Sequence, residues 1–370
     1  MLQNAVSTEK IAGEKMELID ILNEELTNIE PLDMGIYEAC KEKWNSIAKP
    51  LNGLGILEEI ICRIGAIRND VSAPCEKKCV IVMCADNGVI EEGVSQTDSS
   101  VTKIVADNLA RGISTVNLMA RQSNATVIPI NIGMVSQPDE KGVWNRCVRK
   151  GTGNIAKEAA MTRDECIQAI LYGIEAVRYA KSEGFDIIAT GEMGIGNTTT
   201  SSAIASVLLD ADPAVVTGKG AGLSDEGLKR KINVIREAVS LHKPDKNDAI
   251  ELISSIGGLD IAGMTGLFAG GAIYGIPVVI DGLISTVSAI LAVMLKHDII
   301  DYIIPSHGGR EPACQMLFNL LGKKPCIYAD MALGEGTGAV TLFPLIDIAK
   351  SVYGQNITFS DISMEPYKPL

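Results

Sequence analysis

Two regimes of hydrophobic patterning divide the chain. Up to about residue 70, apolar positions recur every three or four residues, as in MELIDILNEEL (Met16–Leu26) and LEEIICRIGAI (Leu57–Ile67), which is the period of a helix with one buried stripe. No run in this part alternates like a strand. From about Lys78 onward, short continuous apolar runs take over: CVIVMCA (Cys79–Ala85), ATVIPINIG (Ala125–Gly133), DIIATGEMG (Asp186–Gly194), IPVVIDG (Ile276–Gly282), IDYIIPS (Ile300–Ser306) and PCIYADM (Pro325–Met331). Helix-length segments separate them. A strand that is apolar on both faces belongs to a buried parallel sheet, so the alternation predicts βαβ units with helices on both faces, an α/β fold. Several runs close on Gly, Asp, Asn or Ser, and in an open α/β sheet the ligand crevice lies outside the carboxyl ends of the strands. Those closing residues are therefore the first candidates for chemistry.

Composition narrows the reading. A chain of 370 residues holds one large domain with an attachment, or two domains sharing a cleft. With 36 glycines and only 4% aromatics, small residues do much of the packing. A net charge of −13 repels nucleic acid and anionic membrane, so the expected partners are small molecules, and any phosphate must be caught by a local device. Nine cysteines without a CxxC pair, and a start lacking the layout of a secretion signal, predict a cytoplasmic protein. The uncharged stretch Ala262–Ile280 is long enough to span a bilayer, but five glycines and Pro277 break it into a small-residue helix followed by a strand, and no basic flank orients it. We read it as buried soluble structure.

The segment Thr190–Thr200 (TGEMGIGNTTT) carries the sharpest chemical signal. Gly194 and Gly196 let the backbone approach a ligand, and Asn197, Thr198 and Thr199 add side chains to the free N–H groups of an opening helix, which together make an anion site. The same residues would also cap a helix, but three successive threonines exceed what capping requires. The segment is neither a Walker loop nor a dinucleotide fingerprint. Downstream, Gly218, Lys219 and Gly220, with Lys231 in the following helical segment, offer ammonium groups to a phosphate. In DMALGEGTGA (Asp330–Ala339), Glu335 stands between Gly334 and Gly336 after the strand-like CIYAD. A carboxylate on such a turn is placed like a general base; it would equally suit the first turn of the next helix, and the residues alone do not choose.

Glu192 is a second carboxylate, and two around one crevice suit chemistry at an anomeric carbon. Asp86, Asn87, Ser95, Gln96, Asp281, Ser306 and His307 are further polar groups at strand ends. Three histidines without an HExxH pattern, and Cys75 and Cys79 without further ligands, predict neither a metal site nor a bound cofactor. Cys84, Cys314 and Cys326 read as small core residues.

Taken together, AKPLNGLGILE from Ala48, ADNGVIEEGVSQ from Ala85, GTGNIAKEAAMT from Gly151, TGEMGIGNTTT, GGLDIAGMTGL from Gly257, DGLISTVSAILA from Asp281, PSHGG and LGEGTGA from Leu333 span nearly the whole chain. In their content and order they resemble the nicotinate-nucleotide:dimethylbenzimidazole phosphoribosyltransferase family. The resemblance implies a Rossmann-like sheet in a large domain over 76–335. It also implies a smaller helical domain built from both termini (1–75 with part of 336–370), and a homodimer or a heterodimer with a paralogue. It further implies transfer of the ribose 5-phosphate of nicotinate mononucleotide to a lower-ligand base of a cobamide, giving an α-ribotide and nicotinate. Glu335 matches the family's catalytic base.

The chain departs from the family pattern at Ala332, where many members carry Arg, at Asn87, where His is common, and at Gly309, where Ser often follows the Ser-His pair. One variant of the family joins phenols through oxygen and works as paired paralogous subunits. A non-catalytic paralogue supporting an active partner is the competing reading. A dinucleotide-dependent enzyme is disfavoured, because no acidic residue closes the second strand of a glycine-rich βαβ unit near Gly194.

Overall fold

The structure is a computed structural model describing residues 17–367, so residues 1–16 of the expected helical segment lie outside the described residues. Among the described residues six strands form one sheet: β1 (Lys78–Ala85), β2 (Thr126–Gly133), β3 (Trp144–Asn145), β4 (Ile187–Met193), β5 (Val278–Val279) and β6 (Ile303–Ile304). All pairings are parallel and the order is β3-β2-β1-β4-β5-β6. The order reverses between β1 and β4, which is where a doubly wound sheet opens a crevice at its carboxyl edge.

Helices α1 (Leu18–Thr27), α2 (Met34–Ser46) and α3 (Ile56–Arg68) precede β1, and α4 (Ser100–Arg111) and α5 (Thr115–Arg121) connect β1 to β2. Helix α6 (Arg163–Ser182) leads into β4. Between β4 and β5 run α7 (Asn197–Leu208), α8 (Pro213–Val216), α9 (Asp225–His242), α10 (Ala249–Ile256) and α11 (Leu259–Tyr274). Helix α12 (Leu283–Leu295) follows β5, and α13 (Cys314–Leu321) and α14 (Thr337–Gln355) follow β6.

The period of two along β1 sorts these helices into layers. Cys79, Ile81, Met83 and Ala85 join one apolar cluster with α1, α6, α11 and α12, whereas Val80, Val82 and Cys84 join another with α2, α3, α4, α5 and α14. Each fully buried Val or Ile contributes roughly 1.5–3 kcal/mol. The helices from the two ends of the chain meet in the second layer, where the Trp44 ring of α2 packs against the Tyr353 ring of α14, their centroids 4.9 Å apart and planes tilted by 48°, and the same cluster continues onto the sheet.

The uncharged run is α11 followed by β5, and no described helix is long and apolar enough to cross a membrane. Its glycines serve contact with α6: a Cβ on Gly266 would stand 2.0 Å from the Ile170 carbonyl oxygen, so the two helices pack backbone to backbone.

Two expectations about strands are corrected, and one strand was not anticipated. PCIYADM is not a strand: only Ile327 bridges to His307, and Asp330, with φ +50, turns the chain away. In IDYIIPS the first three residues close a 3-10 helix (His297–Tyr302), leaving a two-residue β6. The edge strand β3, Trp144–Asn145, carried no sequence signal.

Candidate active site

The site is assembled where the two halves of the sheet diverge. β4 ends at Glu192 and Met193, turns through Gly194 and Gly196, and enters α7 at Asn197. The segment before α14 lies directly on β4, because a Cβ on Gly191 would stand only 2.7 Å from the Glu335 carbonyl oxygen and 3.1 Å from Gly336 N. Glycine at 191 is what permits this approach. Glu335 itself has φ +60, a left-handed conformation that costs a non-glycine residue on the order of 1–3 kcal/mol and persists only when its surroundings enforce it.

Asp281, at the end of β5, does the enforcing. Its Oδ2 accepts from Gly336 N at 3.3 Å, and its Oδ1 from Gly338 N at 2.7 Å and Ala339 N at 3.0 Å, so one carboxylate caps α14 immediately after Glu335. His307 packs against Gly338 on the same turn. The Glu335 carboxylate reaches the start of α5, where Oε2 accepts from Val116 N at 3.4 Å. Burial raises its carboxyl above the usual range, while the Val116 N–H and the Ser114 hydroxyl pull it back.

Glu192 faces the same cavity and is buried. The Asn197 amide donates to its Oε2 and, at 2.9 Å, to Asp260 Oδ2. Burial, reinforced by the Asp260 charge, pushes Glu192 up to about 8, and burial carries Asp260 to about 6. Burial and the Asp260 charge thus both favour the neutral acid of Glu192.

The opposite end carries the positive charge. Lys231 of α9 is 1% exposed and its Nζ donates to Thr198 Oγ1 at 2.7 Å. Burial lowers this ammonium to about 8, with Glu311 opposing the shift. Lys219 is half exposed and paired with Asp225 at 2.7 Å. The Gln96 amide donates to the Gly222 carbonyl, tying the segment after β1 to the glycine-rich loop at 217–223. A cavity of about 290 Å³ lies between Glu192 and Glu335 on one side and Thr198 and Lys219 on the other, with Lys231 behind Thr198.

Of the residues anticipated from sequence, Gln96, Glu192, Gly194, Gly196, Asn197, Thr198, Lys219, Gly220, Asp281, His307, Gly334 and Glu335 line this one cavity. Thr199, Gly218, Lys231 and Gly336 are adjacent in the chain or in space but do not form its wall. Asp86 and Ser306 are buried off the wall: Asp86 Oδ2 accepts from Val135 N at 2.8 Å, and Ser306 Oγ donates to the Ile280 carbonyl at 2.5 Å.

Ala332 and Gly309, singled out as departures from the family pattern, also line the cavity, whereas sequence reasoning missed Glu311 and the apolar wall of Leu283, Ile284, Met331 and Leu333. It also missed Asp260, although a lone acid heading the run from Leu259 to Ala272, every residue of it buried, was a usable signal. Among the described residues no group of three or more His, Cys, Asp or Glu could hold a metal ion.

The family described as Phosphoribosyltransferase matches residues 29–363. The nicotinate-nucleotide–dimethylbenzimidazole phosphoribosyltransferase of Ruminiclostridium cellulolyticum is 43% identical over 347 residues, covering 94% of this chain and 99% of its own. The enzyme of that name from Acetivibrio thermocellus is 45% identical over 340 residues, covering 92% and 95%. The crystal structure of CobT from Thermus thermophilus matches with a TM-score of 0.84 at 34% identity, covering 90% of this chain and 99% of that one.

Proposed function

The chain belongs to this phosphoribosyltransferase family, and on that footing we propose that it moves the ribose 5-phosphate of nicotinate mononucleotide onto 5,6-dimethylbenzimidazole or a close analogue. The products are an α-ribotide and nicotinate. The observation that carries the reading is that Glu335 and Thr198, whose hydroxyl accepts from the buried Lys231 ammonium, line one cavity of about 290 Å³, near the lower end of the range for small-molecule sites.

The bond between the anomeric carbon and the nicotinate nitrogen breaks, and its electron pair neutralises the cationic ring, so the leaving group needs no acid. The unprotonated ring nitrogen of the aglycone forms the new bond with its in-plane lone pair, and the proton on the other ring nitrogen must leave. Glu335 accepts that proton. Lys231, Thr198 and the start of α7 hold the 5-phosphate and fix the ribose for attack. Glu192, protonated at neutral pH, donates a hydrogen bond towards the sugar and adds no second negative charge. The apolar wall of Leu283, Ile284 and Met331 suits a flat aromatic base.

We further propose that the chain forms a dimer. Ile113 and Leu118, which flank the start of α5 beside Glu335, are 59% and 53% exposed, and Leu333 is 53% exposed. The nine unpaired cysteines support a reducing compartment such as the cytoplasm.

The test incubates the purified chain with nicotinate mononucleotide and dimethylbenzimidazole and follows nicotinate and ribotide by chromatography with mass detection. Release of nicotinate with ribotide formation is expected. Release appearing only when a second homologous chain is added would overturn a self-sufficient enzyme in favour of a paired subunit. Offering benzimidazoles, adenine and phenols side by side identifies the aglycone.

A further inference from the structure

Glu311 is a charged side chain on the cavity wall that the mechanism above leaves unused. It follows the Ser306–Arg310 turn after β6, sits three residues before α13, and is half-buried. Its carboxylate lies against the glycine-rich loop: a Cβ on Gly218 would be 3.9 Å from Glu311 Oε1. Two residues on, a Cβ on Gly220 would be 3.4 Å from Lys231 Nζ and 2.9 Å from Thr198 Oγ1. Glu311 thus borders the same end of the cavity as the buried ammonium, yet Lys231 Nζ gives its hydrogen bond to the Thr198 hydroxyl at 2.7 Å and not to Glu311.

A phosphate seated against the Lys231–Thr198 pair would meet this carboxylate at the same end of the cavity, where partial burial weakens bulk screening. Two anions confined there repel each other unless a proton lies between them. A phosphate monoester, with its second ionisation near pH 6, arrives at neutral pH mostly as the dianion.

We propose that Glu311 is a specificity-determining residue of the phosphate subsite that engages the nucleotide as the carboxylic acid, so that nucleotide binding takes up a proton. The proton sits on Glu311 and is donated in a hydrogen bond to a phosphate oxygen, while Lys231 supplies the opposing charge. The inference rests on the reading that the 5-phosphate lies at Lys231. The charged and titratable groups around Glu311 are Lys231 on α9, Arg310 in its own turn, Lys219 on the glycine-rich loop and the Cys314 thiol on α13. Lys219 is paired with Asp225, and Cys314, pushed up to about 11 chiefly by burial, is neutral. Burial raises the Glu311 carboxyl, and Lys231 and Arg310 only partly oppose it.

The experiment is titration calorimetry of nicotinate mononucleotide into the full chain at pH 7.0, in buffers of different ionisation enthalpy, for wild type, Glu311→Gln and Glu311→Ala. At that pH Lys231, lowered to about 8, is already largely charged and adds little uptake of its own. Wild type is expected to take up about one proton per nucleotide and to weaken by up to about tenfold per pH unit as the pH rises. Both variants should bind with the uptake removed and with affinity nearly flat from pH 6.5 to 7.5. The absence of uptake in wild type, or the same uptake in either folded variant, would overturn the proposal. Lys231→Met is run alongside: if it binds the nucleotide as tightly as wild type, the phosphate is not at Lys231, and the underlying reading fails rather than the role of Glu311 alone.

Discussion

Replacing Asp281 by Asn tests whether the catalytic turn is held in place from a distance. The carboxylate accepts three N–H groups, from Gly336, Gly338 and Ala339, at the positive end of the helix Thr337–Gln355. Asparagine offers a single oxygen. Its amide must then face either the Gly336 N–H or the other two donors, leaving at least one buried N–H unmet at a cost of about 1–3 kcal/mol. Losing the charge at the helix terminus removes about 0.3–1 kcal/mol more. Against this, Asp281 is buried and burial raises its carboxyl, so a neutral side chain recovers part of the desolvation penalty. The net loss expected in urea unfolding is about 1–3 kcal/mol.

The kinetic consequence should be larger than the stability loss suggests. The released turn follows Glu335 directly, and Glu335 sits at a φ of +60 that only its surroundings enforce. A displacement on the order of 1 Å at a reacting group costs about a hundredfold. In nicotinate-release assays, kcat of Asp281→Asn should therefore fall about ten- to a hundredfold while KM for nicotinate mononucleotide moves by less than about threefold. A variant that loses stability but keeps its kcat would show that Asp281 supports the fold alone. A variant with raised KM and unchanged kcat would show that Asp281 touches substrate directly, and the positioning argument would be wrong.

Three other perturbations separate the parts of the site. Glu335→Gln should lower kcat by about a hundredfold or more with nucleotide affinity nearly unchanged. Because burial raises Glu335 and only its deprotonated form can accept a proton, activity should be lost as the pH falls through a value above the ordinary glutamate range of about 4.3, and kcat/KM profiles should lose this acid limb in the variant. Lys231→Met should raise KM for the nucleotide about ten- to a hundredfold, read in initial-rate assays, and urea unfolding should find it no less stable, because a buried ammonium has been replaced by an apolar chain of similar length. Gly191→Ala places a methyl 2.7 Å from the Glu335 carbonyl oxygen and should cut kcat at least about tenfold; wild-type turnover would mean that the turn does not need to rest on β4.

The parts of this molecule that could be read from sequence are those where one local pattern has one structural solution. β1, β2 and β4 are runs of seven or eight residues, and β1 is buried throughout, so their composition announces them. PCIYADM has a similar composition, but its place beyond β6 leaves it a single bridge, which no local pattern encodes. Glu192, Asn197, Thr198 and Glu335 stood out because glycines bracket them at chain turns. Asp281 was legible as a polar strand end, but not as a cap, since the N–H groups it accepts lie more than fifty residues later in the chain. Glu311 lies outside any strand-end or glycine-bounded signature, and only the folding of the 217–223 loop against it brings it to the cavity.

The balance of charge in the cavity explains how an acidic site can receive an anionic nucleotide. Glu192, Asp281, Glu311 and Glu335 line it, with Asp260 behind, and four bare carboxylates beside one buried ammonium would repel a phosphate. Their environments are unequal, and the inequality assigns their roles. Glu192 is driven to about 8 by burial and the neighbouring Asp260, which in the proposed reaction makes it a neutral donor. Asp281 has spent its charge on three N–H groups of α14. Glu335 is also raised by burial, but the Val116 N–H and Ser114 at the start of α5 stabilise its anion, which leaves it the carboxylate free to take a proton from an incoming base. If Glu192 were found ionised at neutral pH, by infrared difference spectra of the carboxyl stretch in wild type against Glu192→Gln, two anions would face the anomeric carbon and the assignment of Glu335 as the sole base would no longer follow.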